Sequence, residues 1–371
     1  MRISIEAHFL NHPIRSGLLT YTEGVVEGLS RTDRDNRYSL VFYSVFKKAG
    51  EMPGPLGSNF TKCVLPVPDR SFRGKQPLID HLALPAFLKF NKVDVFHRAG
   101  GYTLPAVRGV KKILTIHDLR SLTINDNFFS QDLSGYRAAV READVCVTVS
   151  ECTKRDIVKY LELSEEKIRV IPLAAESRFQ PASEQEVGRI RQKFGLSEPF
   201  FLSVGSVPRK NIEGILKAFA AARRRGGFTL AACCNRDLEK YRALAEALGI
   251  AGKVKFIKYV SDADLVALFS ACHCFLFPSL YEGFGLPILE AMQCGTPVIT
   301  ANDSSCPEVA GEAAVLVDPN KIEEISEAID QMCQNESLRR NLIGKGFERA
   351  RHFDWNASAR EIRKVYEGDR R

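Results

Sequence analysis

The sequence predicts an α/β protein of two doubly wound parallel sheets, because strand-like apolar runs alternate with helical periods along the chain and do so twice over. Length agrees, since 371 residues are long for one hydrophobic core and comfortable for two, and a hydrophobic content of 45% can fill both. In the first half the strand-like runs are Ile3 to His8, Tyr38 to Tyr43, Val93 to His97, Lys112 to Ile116, Val145 to Val149 and Ile168 to Ile171. In the second half they are Phe200 to Val204, Thr229 to Cys233, Val254 to Ile257, Cys274 to Phe277, Val298 to Ala301 and Val315 to Val317. The stretch Pro172 to Pro181 is rich in turn residues and poor in periodicity, which places the linker there. The expected domains are 1–175 and 176–355, followed by a terminal helix over 356–371; Trp355, the only tryptophan, stands just before that helix as a packing anchor.

Charge is concentrated in the first domain. The chain carries a net +7, and residues 1–180 hold 26 Lys and Arg against 20 Asp and Glu. This mild excess, without interleaved aromatic stacking residues, does not form a nucleic-acid-binding stripe and suits an anionic acceptor or a membrane headgroup. Asp69 to Lys75, followed by the amphipathic Leu78 to Lys89, is the stretch expected to make any peripheral contact with an anionic membrane. The N-terminal residues enter a strand directly, and no run of about 18 apolar residues is present, so a cytoplasmic protein is expected. The ten cysteines are scattered and lack zinc-site spacing; buried, reduced thiols are the expectation.

The most informative stretch is Glu282-Gly-Phe-Gly-Leu-Pro-Ile-Leu-Glu290. It follows the apolar run Cys274 to Phe277, relaxes the backbone at Gly283 and Gly285, and opens a helix for which Pro287 suits the first position. A helix N-terminus at the carboxyl edge of a parallel sheet is an anion site, so a diphosphate fits there. Glu290, a turn inside, can accept hydrogen bonds from ribose hydroxyls, while Glu282 stands nearer the reacting end. Upstream, Phe200 to Ser206 reads as a strand and turn, after which Pro208-Arg-Lys-Asn211 puts Arg209 and Lys210 at the mouth of a second helix, where they can neutralise phosphate. In the first domain, Lys112 to Asp118 ends a strand with His117 at its carboxyl edge, and Gly17 lies in the turn from the first strand into a helix.

Two glutamates separated by seven residues, with Ala291 to Thr300 and Pro307 to Pro319 downstream, resemble the retaining glycosyltransferases of family 4, also called group 1. The resemblance implies the GT-B fold, two Rossmann-like domains facing across a cleft, with a terminal helix that crosses back to the first. It implies catalytic roles for His117, Arg209, Lys210 and Glu282, and donor contacts from Gly17, Glu282, Gly283, Phe284, Gly285, Leu286, Glu290, Tyr259 and Val260. It implies no metal and no cofactor: a nucleotide-diphosphate sugar, GDP-mannose first, is the substrate and a glycan or lipid-linked hydroxyl the acceptor. Ala174, Ala175, Lys258 and a glycine-poor loop at Gly17 depart from the family pattern and leave the base open. The acid pairs Asp33/Asp35 and Asp262/Asp264 have a spacing common by chance, and Ser261 to Leu265 reads as an N-cap with Asp262 and Asp264 in the first turn of a helix rather than as a metal site. A sugar-nucleotide epimerase of the same fold, or a non-catalytic binding subunit, would show a different pattern: the latter would be expected to lose Glu282, Lys210 or His117, and all three are present. A nicotinamide enzyme fits less well still, since no Gly-x-Gly-x-x-Gly follows the first strand.

Overall fold

The computed structural model describes residues 1–11, 16–44, 54–66, 79–119 and 134–368. Asp69 to Lys75 and Leu78, part of the expected membrane-facing stretch, lie outside the described residues. The chain divides into two compact units, one of Met1–Leu119, Ser130–Leu173 and Phe353–Arg371, the other of Arg120–Phe129 and Ala174–His352.

Unit 1 holds a seven-stranded sheet in the order β3-β2-β1-β4-β5-β6-β7. Its strands are β1 (Arg2–Glu6), β2 (Arg37–Tyr43), β3 (Phe60–Leu65), β4 (Val95–Arg98), β5 (Lys111–Ile116), β6 (Val145–Thr148) and β7 (Ile168–Val170). Unit 2 holds a six-stranded sheet in the order β10-β9-β8-β11-β12-β13. These are β8 (Phe200–Val204), β9 (Thr229–Cys233), β10 (Val254–Ile257), β11 (Cys274–Phe277), β12 (Val298–Ala301) and β13 (Ala314–Val317). Every pairing in both sheets is parallel. Central strands such as β4, β9 and β11 are buried along their whole length, as a sheet covered by helices on both faces requires.

One strand is new relative to the sequence reading. β3 is an edge strand whose Thr61, Lys62 and Val64 reach solvent, so it lacks the apolar run that marks its neighbours. In each unit the strand order reverses beside the first strand, between β1 and β4 and between β8 and β11. Such a reversal leaves a crevice at the carboxyl ends of the two strands, and open α/β sheets bind ligands there.

The helix Trp355–Glu367 belongs to unit 1 and packs on Gly17–Thr32. Two glycines make the approach possible: a Cβ on Gly24 would stand 2.2 Å from the Trp355 ring, and one on Gly28 would stand 2.6 Å from the Trp355 carbonyl. Trp355 is buried there, and Arg31 Nε donates to Asn356 Oδ1 at 2.7 Å on the rim. All ten cysteines are free thiols.

Candidate active site

In unit 2 the reversal between β8 and β11 is lined by two loops. After β8 the chain turns at Gly205 (φ 104°), where Lys210 Cγ would stand 3.0 Å from an added Cβ, and a short 3-10 turn, Pro208–Lys210, follows. Asn211 then adopts the left-handed conformation (φ 58°) and caps the helix Ile212–Ala221, its Oδ1 accepting from Gly214 N at 3.2 Å. Its Nδ2 donates to the carbonyls of Pro278 and Pro319 at 3.1 and 2.7 Å, which fixes this loop to those after β11 and β13. Leu280 N donates to Arg209 O at 2.8 Å and adds a second tie.

After β11, the segment Pro278–Gly285 leads into the helix Leu286–Gln293. Gly285 (φ 103°) is the cap residue, so no side chain closes the helix N-terminus, and Pro287 occupies the second helical position rather than the first. Glu282 is buried and receives both cations: Arg209 Nη1 donates to Oε2 at 2.5 Å, and Lys210 Nζ donates to Oε1 at 2.7 Å. Arg209 also donates to the Tyr281 carbonyl at 3.1 Å, and the Lys210 ammonium lies 4.2 Å above the Phe277 ring. The backbone of Glu282 is held as well, its N–H by Ser304 Oγ at 3.1 Å and its carbonyl by Ser305 Oγ at 2.9 Å.

Among the described residues this cluster sets two cations on one carboxylate beside a helix N-terminus that no side chain caps. Burial works to raise the Glu282 carboxyl, but Lys210 and Arg209 outweigh it and hold the group below the ordinary carboxylate value. Burial draws the Lys210 ammonium below the ordinary lysine value, with Glu282 opposing the shift. A phosphate arriving here would compete with Glu282 for the same N–H donors, a charge-assisted geometry suited to anions.

The other expected donor residues of unit 2 are spread around this cluster. Gly283, Phe284 and Leu286 are buried between it and the helix, and Glu290 is half-buried one turn inside. Tyr259 and Val260 lie apart from it, between β10 and the helix Asp262–Ala271, with Tyr259 81% exposed. Asn211, Ser304 and Ser305 escaped the sequence reading. An asparagine directly after Arg-Lys and ahead of a helical period is a cap signal that marks Asn211; nothing local marks the serines.

In unit 1, Gly17 is the first residue of its helix, exposed, and a Cβ there would meet nothing within 4 Å. His117 follows β5 and is half-buried; its Nε2 donates to the Ala99 carbonyl at 2.7 Å, so the neutral ring presents Nδ1 as an acceptor. Burial lowers its pKa from the ordinary histidine value, against the bond to Ala99. Tyr21 packs edge-on against the His117 ring at 4.7 Å. Tyr21 OH, Thr115 Oγ1, His97 and Tyr366 OH form a buried file, with contacts of 2.9, 2.7 and 2.6 Å, that reaches the helix Trp355–Glu367.

The paired acids are engaged locally. Asp264 meets Arg189 at 3.0 Å and Lys193 at 2.6 Å, Asp262 meets Arg178, and Asp33 accepts from Asn36 and from Tyr38 at 2.7 and 2.6 Å. Among the described residues no group of three or more His, Cys, Asp or Glu side chains is arranged to hold a metal, and no helix is long and apolar enough to cross a membrane.

Two Rossmann-like parallel-sheet units, one with a cationic cluster at its strand-order reversal, define the GT-B class of α/β fold. A sucrose-phosphate synthase from Thermosynechococcus elongatus shares it, with a TM-score of 0.78 over 99% of this chain and 98% of that one at 18% identity. Residues 16–176 match the model of Glycosyltransferase Family 4, and residues 186–349 match that of Glycosyl transferases group 1. The O-antigen chain mannosyltransferase B of Escherichia coli is 32% identical over 273 residues, 71% of each chain. The serotype-specific mannosyltransferase WbdA of Escherichia coli is 29% identical over 263 residues, 67% of this chain and 32% of that longer one. The chain belongs to this glycosyltransferase family.

Proposed function

We propose that the protein is a retaining glycosyltransferase that moves mannose from GDP-mannose to a hydroxyl of a glycan or lipid-linked acceptor in surface polysaccharide or glycolipid synthesis. The observation that carries the reading is the convergence of Arg209, Lys210 and Glu282 at the β8/β11 reversal, beside the open N-terminus of Leu286–Gln293. The names of the two Escherichia coli relatives support mannose.

In this reading the diphosphate takes Arg209, Lys210 and the helix amides, and Glu290 accepts from the ribose hydroxyls. The bond from the anomeric carbon to the phosphate oxygen breaks through an oxocarbenium-like state, and the acceptor oxygen bonds to that carbon on the same face. The acceptor proton passes to the departing phosphate oxygen. Catalysis rests on cations and helix dipole held where charge grows on the leaving group. His117, neutral, offers Nδ1 to a sugar hydroxyl. No metal is needed for charge neutralisation.

The test is thermal stabilisation by UDP, GDP, ADP and CMP sugars in EDTA, with Glu290→Ala in parallel. A shift selective for GDP-mannose and lost in the variant is expected. A larger shift with another sugar nucleotide overturns the donor, and a shift that survives in the variant overturns the site. With turnover in hand, the anomeric configuration of the product by NMR tests retention.

A further inference from the structure

At the carboxyl ends of the paired strands β4 and β5, residues two apart turn to one face of the sheet, so His97 shares a face with Ala99 and Thr115 shares one with His117. Two rungs join them. His97 Nε2 lies 2.7 Å from Thr115 Oγ1, and His117 Nε2 donates to the Ala99 carbonyl at 2.7 Å. Tyr21, from the helix Gly17–Thr32, spans both rungs: its hydroxyl lies 2.9 Å from Thr115 Oγ1, and its ring stands at 82° to the His117 ring with 4.7 Å between centroids. All of these residues belong to unit 1.

Tyr21 is 1% exposed, and a buried phenol is costly without a hydrogen-bond partner, so the bond to Thr115 fixes where its ring lies. Behind it His97 Nδ1 meets Tyr366 OH at 2.6 Å, and the Trp355 ring stands 6.4 Å from the Tyr21 ring. Burial pushes the phenols of Tyr21 and Tyr366 up and the His97 imidazole down to about 3, so the file stays uncharged at neutral pH. The backbone of His117 is held too, its carbonyl accepting from Thr153 Oγ1 at 3.4 Å. A neutral imidazole can carry its proton on either nitrogen and can turn about its Cβ–Cγ bond. The Ala99 carbonyl selects the Nε2–H form, but one hydrogen bond leaves the ring free to swing, and the perpendicular Tyr21 ring stands against that swing.

We propose that Tyr21 is a positioning residue for His117: it keeps the imidazole on the Ala99 carbonyl, in the tautomer and orientation that leave Nδ1 as an acceptor for the donor sugar. The inference rests on the role given to His117 above. Thr115, His97 and Tyr366 act one step further back, by holding Tyr21.

The test joins imidazole NMR to turnover, both on the full chain. In long-range ¹H–¹⁵N spectra of protein labelled at its seven histidines, the His117 signals are those lost in His117→Gln. At neutral pH the parent should show the Nε2–H tautomer and Tyr21→Leu an average of the two. With the sugar nucleotide that stabilises the protein, Tyr21→Leu should lower kcat by about 10- to 100-fold and leave the donor KM little changed. Tyr21→Phe keeps the ring but frees it from Thr115, so it should fold and fall between Tyr21→Leu and the parent in both readouts; if Tyr21→Leu does not fold, Tyr21→Phe decides alone. A purely structural role lowers the melting temperature and leaves the spectra and kcat as in the parent. Parent-like spectra or parent-like kcat in the folded variants overturns the inference. Turnover of His117→Gln equal to the parent's overturns the role of His117 itself. The two failures are distinct, because this inference fails alone when His117→Gln loses turnover and the Tyr21 variants keep it.

Discussion

Both units gather charge where their strand order reverses, but the two clusters have opposite character. In unit 2, Arg209 and Lys210 share the carboxylate of Glu282, and solvent still reaches 14% and 12% of the two cationic side chains. In unit 1, Arg98 at the end of β4 is completely buried and shared between Glu6 at the end of β1, at 3.0 Å, and Asp80, at 2.6 Å. Tyr43 OH also donates to Glu6, at 2.9 Å. Among the described residues, one cluster sets two cations on one carboxylate within reach of solvent; the other sets one arginine between two carboxylates and is sealed. A place at the reversal therefore does not by itself make a binding site, and the sign of the charge together with solvent access decides what the residues can do.

The largest effect that probes this contrast is expected from Arg98→Leu. It removes the buried cation that Glu6 and Asp80 share and should cost about 3–5 kcal/mol in urea unfolding. A loss below about 1 kcal/mol would mean that the triad is not the structural element its burial implies.

Next comes Lys210→Ala. It removes a donor from the charge that grows on the leaving diphosphate and should lower kcat/KM by about 10²- to 10³-fold, while Arg209 keeps Glu282 paired and stability near that of the parent. A variant that loses stability and keeps its activity would make the two clusters alike.

Acidification separates them further. Burial, aided by nearby His117, lowers the His97 pKa from 6.5 to about 3. Between those values the unfolded chain binds the proton and the folded chain does not, so stability falls as the pH drops below 6.5, by up to about 1.4 kcal/mol per unit for each such group. His117 and His273 are lowered as well and act in the same direction. Glu282 adds its part later, because its depressed carboxyl stabilises above the ordinary value of 4.5 and loses that contribution only as the pH falls below it. Melting curves of His97→Gln across this range should lose one proton's worth of slope; an unchanged slope would place the sensitivity elsewhere.

The smallest stability effect belongs to Gly17→Ala. Its Cβ would point into open space, so a change within about 0.5 kcal/mol is expected. Lower turnover at unchanged stability would identify a loop that approaches substrate. Unchanged turnover would leave Gly17 as an ordinary helix start.

The sequence reading recovered the strands of unit 2 to within a residue, because β8 to β12 are short, apolar and bounded by turn residues. It also named Arg209, Lys210 and Glu282 as members of one site, because their segments, which follow β8 and β11, resemble two motifs of the glycosyltransferase family. β3 was missed because an edge strand with Thr61 and Lys62 turned to solvent carries no apolar run. The Arg98 triad and the His97 file were missed for a different reason. Their members lie 18 to 269 residues apart, and only strand register and the return of the last helix bring them together. Ser304 and Ser305 are of the same kind, as their partners lie at least 21 residues upstream.

The return of that last helix also sets an order of events during synthesis. The groove between Gly24 and Gly28 is shaped for Trp355, and His97 finds its Tyr366 partner only at the far end of the same helix. As the chain emerges from the ribosome, the seven strands of unit 1 are all available long before either residue exists. Unit 2, drawn from the chain between them, can reach its folded state first, while the groove at Gly24 and Gly28 stays uncovered until Trp355 and Tyr366 have been made.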